Sequence, residues 1–374
     1  MKNNKLFLSM IIVMMMWLVG CPAEPEKEDE KKDDNIPSQP VINALSSLRK
    51  IADGVFTLEY DGDYGLDAML AAGAKTDAEL LALLESQAMT WKTSKTSNHT
   101  ATINTNGNFA CSSIAADHSG DVGGKIFGRN FDWENSAILL LHTKPYNGYE
   151  SFSTSCLQFI GINRDWEPSE TDILDTATVL GAIYVPMDGM NERGVYISNL
   201  QTDDDETTDQ DTGKTAITTT VAIRMVLDKA DSVDKAIELL KQYDMHSAHN
   251  TAHHFAIADN TGKSVVVEWV NNVMYVSDAR VVTNHYIAEG SLSHGKVIPA
   301  QKDDDDDDTI DRFNILTEIG ETKKWSMTPE EVRDALNAAK QTDWTVWSAV
   351  FEPNARRITY YFRGDYTKSV TVTF

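Results

Sequence analysis

The stretch N-F-A-C-S-S-I-A-A-D-H-S-G-D-V-G-G-K-I-F-G-R-N-F-D-W-E, Asn108 to Glu134, decides how the rest of the chain is read. Cys111 follows a small residue, Ala110, and opens the run Cys-Ser-Ser-Ile-Ala-Ala, which alternates loosely as a short strand does. His118 to Gly124 is rich in Gly and Asp, the chemistry of a turn. Lys125 to Trp133 reads as a return strand carrying Arg129, Asn130 and Asp132 near its end. Strand, turn and return strand predict a hairpin that brings Arg129 and Asp132 back beside Cys111.

That trio suits one kind of chemistry. A thiol attacks well only as the thiolate, and a nearby guanidinium lowers its pKa. A carboxylate close by can hold an amine. If the peptide bond between Ala110 and Cys111 is cut, that amine is the N-terminus of Cys111 itself. An α-amino group titrates at about 7.7–8.0, so it serves as general base near neutral pH. Nucleophile and base then sit on one residue, a variant of the activated nucleophile.

Cys111 followed by Phe127-Gly128-Arg129-Asn130-Phe131-Asp132-Trp133 resembles the choloylglycine hydrolase family, linear amide C–N hydrolases of the N-terminal-nucleophile (Ntn) superfamily. The resemblance implies that Cys111 is the nucleophile, that Arg129 assists the thiolate and substrate, and that Asp132 binds the α-amine. Further stretches match in the same order. Asp188-Gly189-Met190-Asn191-Glu192-Arg193-Gly194 is similar to a family run. Counting on from it reaches Gln201 where the family has an oxyanion-hole asparagine, with Asn199 two residues earlier. Gly262-Lys263-Ser264-Val265-Val266-Val267-Glu268 and Val281-Val282-Thr283-Asn284 match as well. The resemblance gives Asn284 the role of a catalytic asparagine whose amide is a preorganised donor to an oxyanion. Arg312, in Ile310-Asp311-Arg312-Phe313, falls where the family keeps an active-site arginine.

Strands, then helices, then strands, without regular βαβ alternation, predict an α+β fold. The resemblance implies a four-layer αββα sandwich over residues 111–374. Residues 42–110 are read as a helical pro-segment: Ala44, Leu45, Leu48 and Ile51 share helical spacing, and Thr76-Asp77-Ala78-Glu79 has the form of a capping box. Acid amidases of the same superfamily also carry a long segment before the cysteine. Thr93–Gly107 reads as an exposed linker ahead of the cut. Strands are expected at 137–142, 151–161 and 177–186, helices at 215–227 and 232–243, and three antiparallel strands at the end.

At the other end, Leu6–Val19 is an apolar run after two lysines, too short for a membrane span and read as part of a signal peptide over residues 1–20. Leu18-Val19-Gly20-Cys21 resembles a bacterial lipobox, which implies lipidation of Cys21 and anchoring in a cell envelope. Residues 21–41, rich in Pro, Glu, Lys and Asp, read as a flexible tether. The formal net charge of −24 argues against nucleic acid and against anionic membrane surfaces, so membrane contact is expected through the anchor alone. With three cysteines, Cys21 and Cys111 assigned, Cys156 is left alone and no disulfide framework is expected. No metal or cofactor is expected. His253-His254 reads as packing, and Asp203–Glu206 and Asp303–Asp308 as solvated acidic loops. The expected partner is a small acyl-amide substrate, with a homo-oligomer left open. An acyltransferase of the same fold and an unprocessed surface binding lipoprotein are the alternatives to a hydrolase.

Overall fold

The structure, a computed structural model, describes residues 38–88, 110–134, 136–168, 173–203, 207–248, 251–294 and 309–374. These fall within the compact unit Pro37–Phe374. The signal peptide, Cys21, most of the tether, the linker before Ala110, and the acidic runs 204–206 and 303–308 lie outside the described residues.

Helix α1 (Gln39–Ser47) leads into β1 (Arg49–Ala52) and β2 (Val55–Asp61), then α2 (Leu66–Ala72) and α3 (Asp77–Ala88). The hairpin around Cys111 is β3 (Ala110–His118) and β4 (Lys125–Asp132), followed by β5 (Ile138–Lys144) and β6 (Ser151–Cys156). Two 3₁₀ segments, Leu157–Ile160 and Ile173–Tyr184, precede β7 (Asp188–Asn191) and β8 (Tyr196–Asp203). Next come β9 (Ala216–Thr218), α4 (Thr219–Lys229), α5 (Val233–Leu240), β10 (Asp244–His246), β11 (Ala252–Ala258), β12 (Ser264–Val270), β13 (Val273–Asp278), β14 (Val281–Val282) and α6 (Glu289–Ser293). The chain closes with α7 (Thr309–Thr322), β15 (Ser326–Met327), α8 (Pro329–Ala338), β16 (Thr345–Glu352), β17 (Arg357–Phe362) and β18 (Asp365–Thr373).

Among the described residues, one sheet has nine strands in the order β1-β2-β5-β6-β7-β8-β11-β12-β13. The other has seven, β14-β3-β4-β16-β17-β18, with β15 against β3. Period-two alternation sorts their side chains into layers. Cys111, Phe127, Phe131, Tyr196, Leu200, Val266 and Trp347 pack between the sheets. Ile114, Ile126 and Val350 face outward onto Leu316 of α7 and Val332 and Leu336 of α8. Leu139, Ile197, Phe255 and Val267 face outward on the other sheet, onto Val221 and Met225 of α4 and Leu240 of α5. The result is the expected four-layer αββα sandwich. Gly128 fixes one spacing: a Cβ there would lie 2.7 Å from the Val332 side chain, so glycine lets α8 settle on β4. A capping box opens α8, with Thr328 and Glu331 reciprocally bonded and Pro329 at its first turn.

Two local expectations give way. The segment before Ala110 is helical only in part: residues 49–61 form a hairpin, and β2 runs parallel to β5, pairing Val55 with Ile138 through to Asp61 with Lys144. Ile51, read on a helical face, lies in β1 and is 39% exposed. The turn at Asp53-Gly54, with Gly54 at φ +62°, ends helical continuity, and Val55-Phe56-Thr57-Leu58-Glu59-Tyr60 then alternates with period two. The expected strand at 177–186 is instead mostly 3₁₀ helix, through Tyr184, because a short continuous apolar run reads alike in either form. The upstream segment is thus built into the larger sheet as well as packed on it.

Phe56 is fully buried in β2. Phe56→Ala is expected to cost about 3–5 kcal/mol of stability in a denaturant titration. An unchanged midpoint would mean that the upstream segment is not part of the folded unit.

Candidate active site

Register decides which side chains meet. β3 and β4 pair Cys111 with Phe131, Ser113 with Arg129 and Ala110 with Asp132. Cys111 and Arg129 therefore share the inter-sheet face, whereas Asp132, beside Ala110, points to the helix side. Arg129 Nη2 donates to Cys111 Sγ at 3.4 Å and to the Asn199 carbonyl at 2.8 Å. Arg129 Nε lies 2.7 Å from Asp188 Oδ2, with both side chains fully buried. Trp347 Nε1 donates to that same carboxylate oxygen at 2.9 Å. The Trp347 ring stacks on Phe131 at 4.0 Å, and Arg129 lies 5.5 Å from the Phe131 ring centre.

The backbone of Cys111 is held separately. Its N–H donates to Asn284 Oδ1 at 2.7 Å, and its carbonyl accepts from Arg312 Nη1 at 2.5 Å. Arg312 Nη2 also donates to Asn284 Oδ1, at 3.1 Å. Asn284 Nδ2 donates to the Gln201 carbonyl at 2.7 Å, and Asn284 N–H donates to Thr309 Oγ1, at the start of α7, at 2.8 Å. Asp132 accepts from Thr345 Oγ1 at 2.5 Å and lies 4.0 Å from Arg312 Nη1.

Arg129, Asn284 and Arg312, all singled out from sequence, thus converge on Cys111, and Asp132 stands one strand pair away. Asn199 and Gln201 reach the site through their carbonyls. The Asn199 carboxamide lies on the far face, 3.3 Å from His253 Nδ1. Asn284 Nδ2, read as an oxyanion donor, donates to the Gln201 carbonyl. Asp188, Trp347, Thr345 and Thr309 were not singled out. Asp188-Gly189 reads locally as a turn, and its only other signal is a lone acidic residue in an apolar surrounding. Nothing local marks Trp347.

Electrostatics at the thiol is a balance. Burial pushes the Cys111 thiol up to about 11, Arg129 and Arg312 pull it down, and Asp132 pushes it up. In the uncut chain it is a neutral thiol at pH 7. Burial also pushes the Asp188 carboxyl up, against the pull of Arg129 and of hydrogen bonds from Thr154 and Trp347. A cavity of about 520 Å³ opens beside Tyr286, two residues past Asn284, lined also by Thr208, Asp209, Trp269, Asn272 and His294. Among the described residues, no three or more His, Cys, Asp or Glu side chains cluster as a metal site.

The family model described as linear amide C–N hydrolases, choloylglycine hydrolase family, matches residues 111–287. Over that stretch the chain is similar to the choloylglycine hydrolase family. The match starts at Cys111 and takes in Arg129, Asp132, Asp188 and Asn284; Arg312 lies beyond it. Solved structures similar to the chain include a mutant of the conjugated bile acid hydrolase from Clostridium perfringens, at 18% identity and a TM-score of 0.51, covering 71% of this chain and 92% of that one. A second variant of that hydrolase has 18% identity and a TM-score of 0.50, covering 70% and 92%. Penicillin V acylase from Agrobacterium tumefaciens has 16% identity and a TM-score of 0.45, covering 67% and 83%. At these identities the likeness to the two bile acid hydrolase variants is one of fold, the αββα sandwich. Among curated proteins, no significant match is found.

Two outcomes follow from this geometry. Asp188→Asn leaves the Arg129 guanidinium buried without its counter-charge, and is expected to destabilise the protein by about 3–5 kcal/mol in denaturant unfolding. Cys156, buried and pushed up to about 11 chiefly by burial, is expected to stay unlabelled by iodoacetamide at pH 8 until the protein is unfolded, as read by peptide mass spectrometry.

Proposed function

We propose that the protein is a cysteine-nucleophile amidase. It cleaves the bond between an acyl group and an amine, after cutting itself between Ala110 and Cys111. The observation that carries this reading is the double grip on Cys111: Arg129 Nη2 is 3.4 Å from its sulfur and Asn284 Oδ1 is 2.7 Å from its nitrogen.

Self-cleavage is a chemical requirement. In the uncut chain the Cys111 nitrogen is an amide, with no basic lone pair, and the thiol is neutral. Attack of that thiol on the Ala110 carbonyl carbon moves the acyl group from nitrogen to sulfur. Water then hydrolyses the thioester, leaving a carboxylate on Ala110, a free thiol and an α-amine on Cys111. The amine takes the thiol proton. The thiolate, faced by Arg129, attacks the substrate carbonyl, and the resulting ammonium protonates the departing amine. Water, deprotonated by the same amine, releases the acid from the acyl-enzyme. The Asn284 carboxamide, beside the Cys111 nitrogen, is a candidate group for the oxyanion. The pairing of Asp132 with Ala110 supports a role for that carboxylate in compensating the new ammonium.

Export and attachment through a lipidated Cys21 belong to the same proposal and rest on residues 1–21. Cys21→Ser should release the protein from the membrane fraction with its amidase activity intact.

N-terminal sequencing of active protein is expected to find a chain beginning at Cys111, co-purifying with the upstream fragment whose β2 strand is paired to β5. Cys111→Ala is expected to remain one chain and to lose activity. Asp132→Asn is expected to lose most activity. An uncut chain with full amidase activity would remove Cys111 from this role, and an uncut, inactive chain that binds acyl amides would make the protein a binding lipoprotein. Acyl transfer to an added amine, faster than release of the acid, would make it a transferase.

A further inference from the structure

We propose that His254 is a positioning residue for this site: a buried imidazolium, clamped between Glu268 and the Thr283 carbonyl, that holds Asn284 on the Cys111 nitrogen. Its consequence for catalysis rests on the reading of Cys111 above; its geometry does not.

His254 lies on β11 and Glu268 on β12, one step beyond the Phe255–Val267 pair, so the two stand opposite each other. Both side chains are fully buried. His254 Nε2 is 2.7 Å from the Thr283 carbonyl oxygen, and Nδ1 is 3.2 Å from Glu268 Oε1. A carbonyl oxygen only accepts. Glu268 Oε1 accepts from Ile287 N–H and Oε2 from Ala288 N–H, so both of its oxygens act as acceptors. Glu268 is therefore a carboxylate, which also only accepts. Each ring nitrogen must then donate, and a ring that donates from both is an imidazolium.

The clamp grips one short segment at two points. His254 holds it at Thr283, while Glu268 accepts from Ile287 N–H at 2.9 Å and Ala288 N–H at 3.1 Å. Asn284 lies between these points. Thr283 follows β14, an edge strand of the seven-stranded sheet, whereas β11 and β12 belong to the nine-stranded one. One buried ion pair in the larger sheet thus fixes the loop of the smaller sheet that contacts Cys111. The other titratable group close by is His285 on that loop. Burial and then the positive charge of His254 push it down to about 4, so it is neutral, with Arg312 beyond it. Glu268 is the counter-charge that permits a buried cation here.

The test uses the full chain with ¹⁵N-labelled histidine. Both ring nitrogens of His254 are expected to carry a proton in the folded chain, the signal being assigned by its loss in His254→Gln. In Glu268→Gln, whose amide can donate to Nδ1, the ring is expected to lose the Nδ1 proton. A neutral His254 in the unsubstituted chain overturns the clamp. In kinetics, His254→Gln is expected to lower kcat by about 100-fold with KM within about two-fold, the size of a misplacement effect. The pair His254→Gln with Asn284→Ala is expected to be no slower than Asn284→Ala alone, because His254 acts through Asn284. Additive losses overturn the positioning role. The spectrum is independent of catalysis. An inactive chain with a doubly protonated His254 therefore overturns the reading of Cys111 while leaving the clamp standing.

Discussion

The buried ion pair between Arg129 and Asp188 is the constraint on which the rest of the site depends. It joins the two sheets: Arg129 stands on β4, Asp188 on β7, and Trp347 of β16 reaches across to the same carboxylate. A guanidinium removed from water is costly unless its charge is met and its donors are used. Here the charge is met by Asp188, and one end of the fork is divided between the Asn199 carbonyl and the Cys111 sulfur. The ion pair orients the arginine, and the arginine then presents a positive charge to the thiol. Without Asp188 the same guanidinium would be an uncompensated cation in an apolar layer.

The second constraint is that Cys111 is held from both faces of its strand. The sulfur points into the inter-sheet layer toward Arg129. The nitrogen and carbonyl are taken by Asn284 and by Arg312 from the helix on the other side. Such a grip leaves the Ala110–Cys111 bond in a defined place while the thiol, pushed up by burial, stays neutral. A resting thiol with a fixed neighbouring carbonyl suits the self-cleavage proposed above. The parallel pairing of β2 with β5 gives the upstream piece a reason to stay bound after such a cut, because the larger sheet would otherwise lose two strands and an apolar face.

Much of this was legible in the residues. The Cys111 hairpin needed only a strand pattern, a Gly- and Asp-rich turn and a second strand, and local chemistry supplied all three. α3 announced itself through Thr76 and Glu79, because capping is a short-range interaction. Less legible was the hairpin at 49–61, where helical spacing up to Ile51 competed with the turn at Gly54 and the alternation after it. The long 3₁₀ segment ending at Tyr184 was not legible at all, since an apolar run fits either form.

By itself, then, the sequence brought Arg129 and Asp132 back beside Cys111, because a motif with fixed spacing on two paired strands leaves little freedom. It named Asn284 and Arg312 through the family resemblance. Tertiary structure decided what those residues do to one another. Asp188 was an ordinary turn-forming acid until the sheets stacked and placed it against Arg129. Asn199 and Gln201 were candidate carboxamide donors until strand pairing turned their carbonyls to the site. His254 was a core histidine until β14 arrived from the other sheet with a carbonyl to receive its second proton. Partners that lie a hundred or more residues apart, or on different sheets, leave no periodic trace in the chain, and only packing brings them within the range where charge and hydrogen bonding act.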